Sequence, residues 1–332
     1  MTRYFLGVDV GGTKTHALIA DESGRAVGFG MGGSGNPHSV GYDGMLRDAI
    51  GPALEQALAS ARVAEERIAG AGFGIAGYDW PSERERTLSA LEALGLRSPR
   101  EIVNDTIVGL LAGAEQGWGV AVVAGTGCNC RGWDVNRREG RVVGGMDEFG
   151  EAAGAGQVIE KALQAIGRAW SLRAPPTRLS EAFVAHTGAR NVADMLEGLF
   201  MQRYRLDANA APLVFQAATE GDQVAVDVIR WAGQELGSLA IGIIRQLGFE
   251  TLDFDVVLVG SLYDGGPLLV EPMRETIHAV APAARLVRLT APPVVGGVLL
   301  GMETAGMKPF ALREKLIETT RGLLDGSVKR EA

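Results

Sequence analysis

The 332-residue chain is poor in cysteine, in long apolar runs and in positive charge. Cys128 and Cys130 are its only cysteines, too few for a disulfide framework, and a reducing cytoplasmic setting is the simplest expectation. The longest uncharged stretch, Ala26 to Tyr42, is broken by glycines, Pro37 and His38, so it cannot span a bilayer. Asp9 interrupts the early apolar run Tyr4 to Val10, so no secretory leader is expected. Lys and Arg number 32 against 40 Asp and Glu, a net charge of −8 that argues against nucleic acid as a partner. What is abundant is glycine: 47 residues, where an average composition of about 7 % would give roughly half that. No Gly-X-Y period or Gly/Ser tract accompanies them, so the glycines must sit at particular turns and contacts.

The pattern along the chain is α/β. Strands are expected at Tyr4 to Val10, Thr15 to Ala20 and Ala26 to Met31, followed by helical spacing over 43–63. Ile68 to Ile75 reads as a strand and Ser82 to Leu94 as a helix, with Glu85 at capping-box distance from Ser82. Ile102 to Asn104 is a short strand, after which Asp105 can cap the next helix. A second set of strands begins at Val120 to Val123 and returns through Cys130 to Trp133. Residues 151–247 are helical almost throughout, and the helix 223–247 stops at Gly248. Strand and helix then alternate to residue 305. The same order is thus stated twice, which implies two related α/β domains with a cleft between them.

Asp9-Val10-Gly11-Gly12-Thr13-Lys14 joins two strands, so it is neither a P-loop nor a Rossmann turn. Paired glycines let backbone N–H groups approach an anion, and Thr13 and Lys14 add a hydroxyl and a charge. Asp9 suits Mg²⁺ held largely through water. Gly125-Thr126-Gly127 repeats this chemistry at the corresponding turn of the second half. Gly260-Ser261 ends a later strand and is the third candidate turn. Each of these could also be a plain hairpin or strand end, but a polyphosphate clamped between domains requires a loop from each.

These three loops, together with Gly35-Asn36-Pro37, Gly77-Tyr78-Asp79, Asn104-Asp105 and Gly125 to Cys130, resemble the N-acetylglucosamine kinase/BadF-type ATPases of the sugar kinase/actin/Hsp70 superfamily. The resemblance spans about residues 3–305. It implies two ribonuclease-H-like (actin-like ATPase) domains, residues 1–115 on the sugar side and 116–308 on the nucleotide side. The second carries the helical insertion, and a C-terminal helix and tail cover 309–332. It implies ATP and Mg²⁺, a small-molecule sugar substrate, no membrane partner and a homodimer.

Asp105 is the expected general base, a carboxylate able to take the proton of an attacking sugar hydroxyl. Gly11, Gly12, Thr13, Lys14, Gly125, Thr126, Gly127, Gly260 and Ser261 are the expected nucleotide residues. Asn36, Asp79, Asp105, Cys128, Asn129, Gly145, Met146 and Glu151 are the expected sugar residues, Glu151 standing where relatives carry aspartate. Asn36 could instead be a turn asparagine, Asp79 a loop or cap residue, and Glu151 part of a helix's first turn. Relatives have tryptophan after the glycine pair where this chain has Met146, which leaves the acceptor open. N-acetylglucosamine is favoured; glucosamine, N-acetylmuramic acid, another hexose, or an ATPase switch acting on a protein are the alternatives. Cys128 and Cys130 read as buried fillers, and Arg131 to Arg141 as a solvated hairpin around Asn136.

Overall fold

A computed structural model describes residues 2–144 and 147–331. Its strands are β1 (Tyr4–Val10), β2 (Thr15–Asp21), β3 (Ala26–Gly32), β4 (Ile68–Ile75) and β5 (Arg100–Asn104), then β6 (Gly119–Ala124), β7 (Cys128–Trp133), β8 (Glu139–Arg141), β9 (Asp255–Val259) and β10 (Arg285–Arg288). They form two five-stranded sheets, ordered β3-β2-β1-β4-β5 and β10-β9-β6-β7-β8. In the first, β1 pairs antiparallel with β2 and parallel with β4. In the second, β6 pairs antiparallel with β7 and parallel with β9. Thus β6 occupies the place of β1, and the two sheets share one topology. β1 reads as an almost unbroken apolar run because it is a central strand covered on both faces.

Parallel neighbours require a crossover, which the first half makes through the helix Gly51–Ala61 and the second through a helical insertion. The insertion runs from Ala155–Trp170 to the 25-residue helix Gln223–Leu247. Asp222 caps that last helix by accepting from the backbone N–H groups of Val224 (2.8 Å) and Ala225 (3.2 Å), and Gly248 ends it at φ 73°. No helix among the described residues is long and apolar enough to cross a membrane.

After the second sheet the chain returns to the first. Helix Val294–Thr304 lies on β1 and β4 and against helix Asp105–Gly113. Glycines on both sides allow this: a Cβ on Gly7, Gly70 or Gly72 would overlap backbone atoms of that helix. Gly28, Gly30 and Gly32 do the same for the carbonyls of Ala57, Ala53 and Ala49. The glycines of 28–32 and 70–72 therefore serve helix-on-sheet packing. The final helix, Arg313–Glu331, packs on β3, and its Thr319 hydroxyl oxygen accepts from the Ala26 N–H at 3.0 Å. Leu316 and Thr320 on that helix are fully buried.

Candidate active site

The carboxyl ends of β1, β4 and β5 lie side by side, so Asp9, the loop 76–80 and Asp105 share one rim. Open α/β sheets present their ligand sites at this rim. The Ala76 N–H donates to the Val10 carbonyl at 2.8 Å, tying the loop to β1. Asn104, not Asp105, caps the following helix: its Oδ1 accepts from the Thr106 N–H at 3.0 Å. Its Nδ2 donates to the Tyr78 carbonyl (3.2 Å) and to Asp79 Oδ1 (3.1 Å). With the cap supplied by its neighbour, Asp105 stands in the first turn of the helix, directly after the end of β5.

Burial pushes Asp105 up to about 6, Asp79 adding to the rise while the Thr106 N–H and Arg131 oppose it. Asp9 is pushed up to about 7, again chiefly by burial, then by the charge of Asp105, with Lys14 opposing. Two carboxylates are thus crowded at the rim with little positive charge to balance them.

Asn36 caps the helix Pro37–Gly44 by accepting from the His38 N–H at 2.9 Å, and its Oδ1 abuts Gly77. His38 Nε2 lies 2.8 Å from the Gly77 carbonyl and 3.0 Å from Glu83 Oε1. The Asp79 and Trp80 N–H groups donate to Glu83 Oε2, at 2.9 and 2.8 Å. The expected Ser82–Glu85 box is therefore replaced by Glu83 reaching back to the loop. Asn36 lies against Gly77 of the loop that carries Asp79, and Asp79 is bonded to Asn104 next to Asp105, all on the side of the first sheet.

The second sheet supplies a rim of a different kind. The turn Gly125-Thr126-Gly127 is closed by the Gly125 N–H donating to the Gly127 carbonyl at 2.9 Å. Helix Ala155–Trp170 begins on it, the Ala155 N–H donating to the Gly125 carbonyl at 2.8 Å. Space beside Gly125 and Gly127 is open: a Cβ on either would meet nothing within 4 Å, and the same holds for Gly12 on the β1–β2 turn. Gly260, at φ 109°, has no room for a Cβ because the Ala124 carbonyl lies against it. This brings Ser261 beside the 125–127 turn. Together they open into a cavity of about 500 Å³ walled also by Asn209, Phe215 and Asp264. Those last three carry no motif, and sequence reading missed them.

Cys128 and Cys130 are buried and form no disulfide, and the Cys128 thiol donates to the Glu151 carbonyl at 3.6 Å. Asn129 Oδ1 accepts from the Cys130 N–H at 2.8 Å. Glu151 is buried outside any helix, and its carboxylate accepts from the N–H groups of Val143 and Gly144. Gly145 and Met146 lie outside the described residues. Among those described, no group of three His, Cys, Asp or Glu side chains could hold a metal by itself.

The stretch 131–141 is a hairpin with an exposed tip around Asn136, as expected, but the arginines at its two ends are not solvated. Arg131 is 2 % exposed, and its Nη2 donates to Asp79 Oδ1 at 2.7 Å across the cleft, while Nη1 donates to Glu139 at 2.5 Å. Arg141 donates to the Asp79 carbonyl and covers the Trp80 ring at 4.4 Å. The usable hint was spacing: Arg131 follows Asn129 by two, so both face the same side of β7.

Residues 6–301 match the model of the BadF/BadG/BcrA/BcrD ATPase family. The chain belongs to that family. It is similar to the N-acetyl-D-glucosamine kinase of Dictyostelium discoideum, 25 % identical over 313 residues, 90 % of this chain and 98 % of the relative. The N-acetylmuramic acid/N-acetylglucosamine kinase of Clostridium acetobutylicum is 20 % identical over 300 residues, with the same coverage of each chain. A solved structure from Chromobacterium violaceum, named as a candidate N-acetylglucosamine kinase, shares the fold with a TM-score of 0.66 at 22 % identity, covering 90 % of this chain and 98 % of that one. The duplicated sheet of this ATPase is the actin-like fold with two domains, as the sequence resemblance implied.

Proposed function

We propose that this ATPase-family chain is an ATP-dependent amino-sugar kinase that converts N-acetylglucosamine to its 6-phosphate. The observation that carries the reading is Asp105, a carboxylate raised by burial at the end of β5 on the rim that also holds Asp9 and Asp79. The amino-sugar kinases similar to this chain over nearly its whole length support the choice of acceptor.

In this reading the sugar lies against Asn36, Asp79, Asn129 and Asp105, with Cys128, Gly145, Met146 and Glu151 closing the pocket from the second half. ATP lies with its phosphates between the turns 11–14 and 125–127 and its nucleoside towards Gly260, Ser261 and the cavity beyond. Asp105 accepts the proton of the 6-hydroxyl as that oxygen attacks the γ-phosphorus in line. The bond to the β–γ bridging oxygen breaks and ADP leaves. A carboxyl raised to about 6 is still mostly ionised at neutral pH yet basic enough to take that proton. Backbone N–H groups and Lys14 meet the phosphate charge.

The donor set also fits Mg²⁺. Asp9 is a hard oxygen ligand whose pKa is raised towards 7, a group that a divalent cation would keep ionised. A single carboxylate with water and phosphate oxygens is the way Mg²⁺ is usually held at such sites. When bound, it would neutralise charge on the β- and γ-phosphates. A cytoplasmic location and a homodimer complete the reading, the first favoured by two cysteines that form no disulfide.

The test is ADP release measured by coupled assay across N-acetylglucosamine, N-acetylmuramic acid, glucosamine and glucose. Turnover that depends on an amino sugar and is greatest with N-acetylglucosamine is expected. ATP hydrolysis indifferent to every sugar would overturn the reading in favour of a switch acting on a protein.

A further inference from the structure

Asp79 belongs to the first half, but it is held from the second. Arg131 Nη2 donates to its Oδ1 at 2.7 Å and reaches its carbonyl at 3.4 Å, and Asn104 Nδ2 donates to the same Oδ1 at 3.1 Å. Gly144, at φ 123°, backs onto the carboxylate so closely that a Cβ there would lie 2.8 Å from Asp79 Cγ. Every hydrogen bond that the described residues make to this carboxylate goes to Oδ1, so Oδ2 keeps its capacity to accept, and the charge of Asp79 reaches Asp105.

The arrangement is costly by itself. Arg131 and Arg141 are directly opposite in the β7–β8 register, where like charges repel. Arg131 Nε is buried without a hydrogen-bond partner. Buried ion pairs rarely repay their desolvation in stability, so stability alone is a poor reason for this one. Both guanidinium groups converge on Asp79, Arg131 on its carboxylate and Arg141 on its carbonyl.

The position of Arg131 along its strand suggests the use. β7 begins at Cys128, directly after the glycine turn 125–127, and Asn129 and Arg131 lie on one face of it. A short paired strand moves as a unit, so the turn that faces the nucleotide and the guanidinium that orients Asp79 shift together.

We propose that Arg131 is a positioning residue that couples sugar capture to nucleotide binding, by presenting Asp79 to a sugar hydroxyl only when the two halves are docked. This rests on the amino-sugar kinase reading. A sugar that bonds to Asp79 Oδ2 binds the docked arrangement better, and linkage then requires the nucleotide to bind more tightly too.

The experiment is titration calorimetry of wild type, Arg131→Lys, Arg131→Gln and Glu139→Gln with a non-hydrolysable ATP analogue, with and without N-acetylglucosamine, beside steady-state kinetics. In wild type the sugar is expected to tighten the nucleotide by about tenfold, within the usual range of coupling between sites. In Arg131→Lys, which keeps the charge but lacks the fork that bonds Asp79 and Glu139 at once, that factor falls to about one and the KM for sugar rises about tenfold more than the KM for ATP. Glu139→Gln, which keeps the Arg131–Asp79 contact, retains the coupling. Arg131→Lys remains the working variant if Arg131→Gln does not fold. Coupling that survives in a folded Arg131→Lys overturns the inference, as does wild type that turns over sugar with no coupling. Wild type that neither binds nor phosphorylates any sugar sinks the kinase reading itself, and the inference with it.

Discussion

The two sheets have one strand order and opposite chemistry at their rims. The first carries Asp9, Asp79, Asn104 and Asp105 at the ends of β1, β4 and β5. The equivalent ends of β6 and β9 carry Gly125, Thr126, Gly127, Gly260 and Ser261, with no carboxylate among them. A duplicated topology thus provides two similar platforms, and side chains divide the work between them. One rim offers acid–base and hydrogen-bonding groups, the other backbone amides with nothing in front of them. The glycines divide in the same way: those at 28, 30 and 32 are filled by a helix, whereas Gly125 and Gly127 face open space.

The sharpest way to break the comparison is at Asp105. Asp105→Asn is expected to lower kcat by about 10²- to 10⁴-fold with little change in either KM, the usual worth of a positioned general base. A loss under tenfold in the steady-state assay would show that the first rim does not supply the base. Next, Gly125→Val should raise the KM for ATP about tenfold, because bulk now occupies the space kept for phosphate, with a nearly unchanged melting temperature. Gly30→Val should do the reverse. Its side chain would collide with the Ala53 carbonyl, so stability falls by about 1–3 kcal/mol while the KM for ATP stays put. Paired calorimetric scans and ATP titrations separate the two kinds of glycine.

The pH dependence sharpens the electrostatic side. With Asp105 raised to about 6, kcat/KM should fall as pH drops through that value, approaching about tenfold per pH unit. The smallest effect is on stability. A carboxyl whose folded pKa lies above its unfolded value of 3.8 costs stability as pH rises from about 4 to about 6, and the full cost persists above that. Asp105→Asn should therefore raise the melting temperature by a few degrees, on the order of 1–3 kcal/mol, at pH 8. The gain should vanish near pH 4. A variant melting at or below wild type at pH 8 would contradict the buried-charge account.

Much of this was legible in the sequence, because its signals are local. The β1 run, the glycine turns at 11–12 and 125–127, and the helix 223–247 with Asp222 and Gly248 at its ends all follow from residues within one element. Asp9 and Asp105 stand out because each follows or ends a short apolar strand. The cap was misjudged between neighbours: Asn104 and Asp105 are both good cap residues, and only geometry shows that Asn104 accepts the Thr106 N–H. Arg131 was missed for a different reason. Arginine is usually exposed, and its acceptor Asp79 lies 52 residues away in the other half. The role of the strand glycines of β3 and β4 was not legible, because a glycine in sequence does not say whether a helix or a ligand fills its space.

The central claim is that Asp105 activates a sugar hydroxyl for attack on ATP bound by the opposite rim. Its most direct test is a single-turnover reaction of γ-labelled ATP with N-acetylglucosamine, comparing wild type with Asp105→Asn. The account predicts that in wild type label passes to the 6-position of the sugar in equal amount to ADP formed, and that in the variant transfer is slowed by at least 10²-fold while ATP still binds. Label released as inorganic phosphate at a rate indifferent to sugar, or transfer undiminished in Asp105→Asn, would contradict it.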